Sequence, residues 1–153
     1  MNVREARESE YQLIYEQGYR EWAKGRSLEE YIKENQKEEA NGKRFVMVND
    51  QNQILASLMM LQFRQNLFGI GSIVVDSSSR KKGLGKKLIE ECLIKHPDAA
   101  FILYSEIDPS YYKQFGFRVL PREFQQSSKG ICMICANDEL CKRILKGPIP
   151  GYF

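Results

Sequence analysis

The sequence predicts an α+β fold of mixed α/β layering, in which an antiparallel meander feeds one strand–helix–strand crossover. Three observations predict it. Apolar runs at Phe45–Val48, Ile54–Phe63 and Leu67–Val75 are joined by NDQNQ and RQN. Those links are too short for a crossover, so the strands are antiparallel neighbours. Two stretches of helical periodicity precede them. After them, Arg80–Leu88 packs five cations and two glycines into nine residues, and a helical stripe and a continuous apolar run follow.

Val3–Ala6 reads as a short strand. Ser9 and Gln12 have capping-box spacing, and Tyr11, Ile14, Tyr15, Gly18 and Trp22 follow at helical spacing. Ser27 and Glu30 repeat the box before a second, more charged helix that runs to about Ala40, where Asn41-Gly42 stops it. Gly69 and Gly71 within the third meander strand predict a bulge or the close approach of another group. Leu84, Leu88, Ile89, Cys92 and Leu93 form the apolar stripe of the next helix, which His96-Pro97 ends. AAFILY has the pattern of a central strand covered on both faces. DPSYYKQ reads as a turn and a short helix, FRVL as a strand, ICMICA as the last strand and DELCKRILK as a brief helix. GPIPGYF ends the sequence in a Pro/Gly-rich tail with two aromatics.

The 153 residues fit one domain, 1–153, with a core large enough to need no metal or disulfide staple. An apolar share of 42% with 28% charged residues excludes disorder. A net charge of +3 is too small to indicate nucleic acid by itself; what matters is the bunching near residues 80–87. Cys132 and Cys135 form a C-x-x-C, but the only histidine, His96, is distant, and residues three apart on a strand face opposite ways. Ordinary buried thiols and no metal are expected. Met1 leads into polar, charged residues, no apolar run reaches the ~20 residues of a bilayer span, and a reducing cytoplasm fits the free cysteines.

A strand, a basic loop, two glycines and a helix start make an anion site. The first helical N–H groups lack internal partners, and the helix dipole adds positive charge there. Glycine admits phosphate oxygens close to the backbone. A merely solvated helix start is the competing reading, but lysines there oppose the dipole. The Walker loop is absent, because Arg80 stands five residues before Gly85 and Lys87 replaces the Ser/Thr. The dinucleotide fingerprint fails at Leu88, where its third glycine belongs.

The stretch Val75, DSSS, Arg80-Lys81-Lys82-Gly83-Leu84-Gly85 resembles the signature of the GNAT superfamily of acyl-CoA-dependent N-acetyltransferases. A second motif stands downstream. In DPSYYKQFGF, Tyr112, Gly116 and Phe117 are similar to the Tyr–Gly-Phe element of that superfamily. The fuller D-P-x-Y-Y-x-x-F-G-F form resembles a bacterial subgroup of predicted acetyltransferases. The likeness covers about Phe45–Ala136. It implies a mostly antiparallel sheet of six to seven strands, flanked by helices and splayed where acyl-CoA binds. By the same resemblance the amides of Lys81, Lys82, Gly83, Leu84, Gly85 and Lys86, with Arg80, hold the pyrophosphate of acetyl-CoA, the cosubstrate. Ile73, Val74 and Val75 pair with its pantetheine arm. Ser105 stands where many members carry an Asn that positions the cofactor.

Acetyl transfer explains the tyrosine. An amine attacks the thioester and a thiolate must leave; a phenol, protonated at pH 7, donates to the developing sulfur charge. Tyr112 is the candidate acid, although Tyr111 and Tyr112 also fit the face of a small amphipathic helix. A strand-end amide near Val74 or Val75 is the expected oxyanion donor. Glu106 and Asp108 are candidate bases, with Asp-Pro also a turn signal. Tyr15, Tyr19, Trp22 and Tyr31 with Glu16 and Glu21 suit either a core face or a wall for a cationic amine acceptor. The tail reads equally as a pocket cover, a homodimer contact or a plain terminus. Two other readings stay open: an acyl-CoA sensor without turnover, and a nucleic-acid module built on Arg80–Lys87. Neither nucleic acid nor membrane is the expected partner.

Overall fold

The computed structural model describes residues 1–153. Its elements are β1 (Asn2–Glu5), α1 (Tyr11–Trp22), α2 (Leu28–Glu39), β2 (Gly42–Val48), β3 (Ile54–Arg64), β4 (Leu67–Val75), α3 (Leu84–Ile94), β5 (Ala100–Ser105), α4 (Ser110–Lys113), β6 (Arg118–Val119), β7 (Ile131–Cys135) and α5 (Asp138–Leu145). The strands form one seven-stranded sheet in the order β1-β2-β3-β4-β5-β7-β6. All neighbours are antiparallel except β4 and β5, which α3 joins as a parallel crossover. The expected fold class is the observed one.

Alternation along β5 shows how the apolar runs are used. Phe101 and Leu103 face one layer with Leu84, Leu88, Ile89 and Cys92 of α3. Ala100, Ile102 and Tyr104 face the other, with Leu140 and Ile144 of α5 and Ile149 of the last segment. Cys132 lies in the α5 layer and Cys135 packs against the α3 layer, so the C-x-x-C thiols point to opposite faces. No helix is long and apolar enough to cross a membrane.

Two local details differ from expectation or extend it. Ser27 caps α2 as expected, accepting from the Glu30 N–H at 3.1 Å. Ser9, in contrast, lies inside a 3-10 turn, and Glu10 does the ordering there. Its carboxylate accepts from the Arg7 N–H at 2.7 Å and from both terminal nitrogens of Arg4 at 2.8 Å. Charge-assisted bonds of that kind outcompete a serine hydroxyl. The Arg4 guanidinium holds the Glu10 carboxyl down at about 2. Further along, Arg44 of β2 is only 2% exposed and anchors α2 to the sheet. It donates to Glu39 and to Asn35, both at 2.6 Å, and lies over the Tyr15 ring.

The sheet opens in its middle. β4 and β5 pair only at Leu67–Ala100, Phe68–Phe101 and Gly69–Ile102, although β4 runs on to Val75 and β5 to Ser105. A register shift on the β3 side, with Ser72 at φ +50°, bulges β4 where the two strands part. Of the two alternatives, Gly69 meets the close approach, while the bulge falls at Ser72 and Ile73. A Cβ there would fall 2.5 Å from the Phe63 ring and 2.6 Å from Phe153.

Candidate active site

The gap between β4 and β5 is a groove of about 710 Å³. Its walls include Gly71, Ser72 and Ile73 of β4, Leu103 and Tyr104 of β5, Glu106, and Tyr112 of α4. A second hollow of about 950 Å³ lies at the opposite end of the strands, around His96 and Lys95, away from these groups.

Along β4 the backbone beyond the gap is left for other partners. Asp76 N–H donates to Leu55 O of β3 at 2.8 Å, so alternation turns the polar groups of Val75 and Ile73 toward the gap and those of Val74 toward β3. Trp22 Nε1 donates to Ile73 O at 3.3 Å, and Arg80 Nε to Val75 O at 3.4 Å. The amide able to meet an oxyanion is therefore that of Val75, or of Ile73, rather than Val74.

The basic loop follows directly. Asp76 accepts from Ser78, Lys81 takes φ +65° and Gly83 φ +71°, and α3 begins at Leu84. The first loop or helix amide after Ser79 to donate to backbone is Lys87, to Gly83 O at 3.1 Å. The amides of Lys81 to Lys86 thus form an unpaired run at the start of an eleven-residue helix. Lys81, Lys82 and Lys86 are exposed, while the Leu84 side chain is in the core. Arg80 is committed elsewhere, to Glu21 of α1 and to Val75 O. That ion pair ties the loop to α1.

The second motif has a mechanical explanation. Asp108 Oδ1 accepts the Ser110 N–H at 2.9 Å and starts the turn, which lowers the acid's pKa. At the other end Gly116 N–H donates to Lys113 O and Phe117 N–H to Tyr112 O, with Gly116 at φ +96° and Phe117 buried. That is a Schellman stop: glycine for the left-handed position, then an apolar residue that anchors the chain. Tyr111 and Tyr112 meet edge to face at 5.1 Å. Tyr111 turns toward the loop, its Oη 3.3 Å from where a Cβ on Gly85 would stand, and Tyr112 turns into the groove. Burial, with smaller contributions from Tyr111 and Glu106, pushes the Tyr112 phenol up to about 12. Its hydroxyl makes no hydrogen bond within the protein.

Glu106 also lines the groove, where Lys24 Nζ donates to its Oε1 at 2.5 Å. Ser105 stands apart: it is 2% exposed and its hydroxyl donates to Ile107 O at 2.7 Å. Of the residues weighed as an aromatic or acidic wall, Trp22 and Tyr31 line the groove. Tyr15 is buried beside Arg44, Tyr19 donates to Arg26 O, and Glu21 holds Arg80. Residues that sequence reasoning missed, Lys24, Glu34, Glu38 and Lys129, complete the far side together with Tyr152 and Phe153 of the tail. The final segment covers a pocket. Tyr104 Oη donates to Pro150 O at 2.6 Å, and Phe153 lies over Gly69 and Gly71.

Residues 8–135 match the family model described as "Acetyltransferase (GNAT) domain". The chain belongs to the GNAT acetyltransferase family. Solved GNAT structures share its fold at low identity. The N-acetyltransferase YhbS of Escherichia coli in complex with CoA is 19% identical with a TM-score of 0.71, over 91% of this chain and 83% of that one. A GNAT acetyltransferase of Brucella melitensis in complex with acetyl-CoA is 19% identical, with a TM-score of 0.64 over 99% and 92%. A spermidine N-acetyltransferase SpeG chimera from Vibrio cholerae and hSSAT is 15% identical, with a TM-score of 0.67 over 94% and 100%. No curated protein matches the chain in sequence.

Proposed function

We propose that residues 1–153 act as a single acetyltransferase domain that moves the acetyl group of acetyl-CoA to a primary amine, by direct attack in a ternary complex. One observation carries this reading. Tyr112, Glu106 and the outward edge of β4 share one groove, and β4 leads straight into the unpaired amides of Lys81–Lys86. Amides converging at a helix start suit a pyrophosphate. A strand edge without a partner suits the amide-bearing pantetheine arm. The E. coli and B. melitensis proteins, of the same fold, bind CoA and acetyl-CoA respectively.

In this reading the thioester carbonyl lies at the β4 bulge, and the Val75 or Ile73 N–H meets the oxyanion as the amine adds. The C–S bond then breaks and Tyr112 donates a hydrogen bond to the departing sulfur. Glu106 accepts the proton that an alkylammonium must lose before it attacks. The acceptor enters past Trp22 and Glu38, beside Tyr31 and Glu34, which Arg26 already covers, so a ring face and a carboxylate are left to favour a cationic amine.

The test is a panel of alkyl amines, polyamines and peptides with acetyl-CoA, read by free-thiol release, beside calorimetric titration with CoA. Amine-dependent thiol release is expected. CoA binding without release from any amine would leave an acyl-CoA sensor, and no CoA binding would end the reading.

A further inference from the structure

We propose that Lys24 is a self-acetylation site: its amine stands in the acceptor position of the groove and takes an acetyl group from acetyl-CoA held by the same chain. This rests on the acetyl-transfer reading above.

Lys24 lies in the turn between α1 and α2, where Lys24 and Gly25 have φ +50° and +79°. Few lysines adopt that backbone. The turn sends the side chain across the groove mouth. Its Nζ lies 2.5 Å from Glu106 Oε1 and 3.0 Å from Tyr152 Oη, and 5.6 Å from the ring centroids of both Trp22 and Tyr152. A carboxylate, a phenol oxygen and two ring faces are what a site for a primary alkylammonium requires. Trp22 is bonded to the Ile73 carbonyl of β4, and Lys24, Glu106 and Tyr112 line the same groove. The ammonium therefore shares the groove with the β4 edge and the tyrosine. The Lys24 side chain is 45% exposed, so this ion pair adds little stability and can open. Lys129 also reaches the Tyr152 ring, at 5.6 Å, but forms no ion pair with a carboxylate.

The step balances without another reactant. The Lys24 ammonium gives one proton to Glu106, which passes it to solvent. The free amine forms a C–N bond to the thioester carbonyl carbon and the C–S bond breaks. The second proton lost from nitrogen matches the one gained by the thiolate. Acetyl-lysine, free CoA and one proton result. The product is neutral and cannot restore the bridge to Glu106.

The experiment incubates the full chain with acetyl-CoA alone and maps acetyl-lysines by mass spectrometry over time. Lys24 is expected to be modified first, at a rate independent of protein concentration. In Tyr112→Phe its rate should fall by about 10²-fold, while exposed Lys37 and Lys142 react unchanged. Lys24→Arg should remove the mark with the fold intact. Modification of Lys24 no faster than of Lys37 or Lys129, a rate that rises with protein concentration, or indifference to Tyr112 would overturn the proposal. A protein that acetylates added amines but spares Lys24 refutes this inference alone. One that binds CoA but does neither refutes the transfer reading too.

Discussion

Replacing Tyr112 by Phe removes one oxygen and leaves the ring in place. In the structure that oxygen has no hydrogen bond within the protein, while the ring packs on Tyr111 and Phe117 at 5.1 and 6.2 Å. Little stability should change, and the melting temperature should stay within a few degrees. The effect on rate should be large. Burial holds the phenol at about 12, so it is protonated throughout the range in which enzymes are assayed. Full proton transfer from such a phenol to a thiolate of ordinary basicity, near 8.5, is uphill by about 5 kcal/mol. In the proposed reaction Tyr112 would therefore act chiefly as a fixed hydrogen-bond donor to sulfur. Losing one such donor costs about 10²–10³-fold in kcat, or roughly 3–4 kcal/mol. The assay is steady-state thiol release with the best amine from the panel, together with acetyl-CoA affinity by calorimetry. A kcat reduced by about 10²-fold with unchanged affinity is expected. The wild-type rate should also show no falling limb from this group up to about pH 10, two units below its pKa. An unchanged kcat in a folded Tyr112→Phe would refute the reasoning.

Three further outcomes follow from the geometry. Gly85→Val puts a side chain against Tyr111 Oη and Val75 Cγ2, each already 3.3 Å from a Cβ, and should weaken CoA binding at least about ten-fold by calorimetry; unchanged affinity would remove the pyrophosphate from this helix start. Glu106→Gln should lower kcat/KM for the amine by about 10²-fold and leave acetyl-CoA affinity intact, and a smaller loss at high pH, where the amine needs no base, is the mark to look for. The Arg4–Glu10 pair has a depressed carboxyl. Its stability is fully present above the unfolded value of about 4.5 and is lost as pH falls toward 2, a change of about 1–3 kcal/mol. Denaturant melts should show this acid sensitivity in the wild type and much less of it in Glu10→Gln; equal sensitivity in both would dismiss the pair.

The fold was legible because each element carried its own period. The meander, the apolar run of β5 and the stripe of α3 are local patterns, and each became the expected element. The cap of α1 was misread because a serine at the right spacing competes with a carboxylate that already has Arg4, and Arg4 belongs to another element. The basic loop and Tyr112 were legible for a similar reason, since a turn and a helix stop must be written within a few residues. The acceptor side was not. Lys24, Glu106 and Tyr152 meet across 128 positions of sequence, and nothing in a lysine-glycine turn or a Pro/Gly-rich tail marks the encounter. Trp22 fitted helical spacing, so sequence alone could not separate a core residue from one that faces the groove.

The parting of β4 from β5 has a consequence for solubility. An unpaired strand edge invites other chains to add on, and the outer edges here are blunt, with four residues in β1 and two in β6. The longest stretch of free backbone lies instead in the middle of the sheet, between Trp22 on one side and the last segment on the other, with two of its carbonyls occupied by Trp22 and Arg80. A strand from another protein would have to displace Trp22 or the last segment to pair there. The molecule keeps its free edge inside a flanked groove and not on its rim.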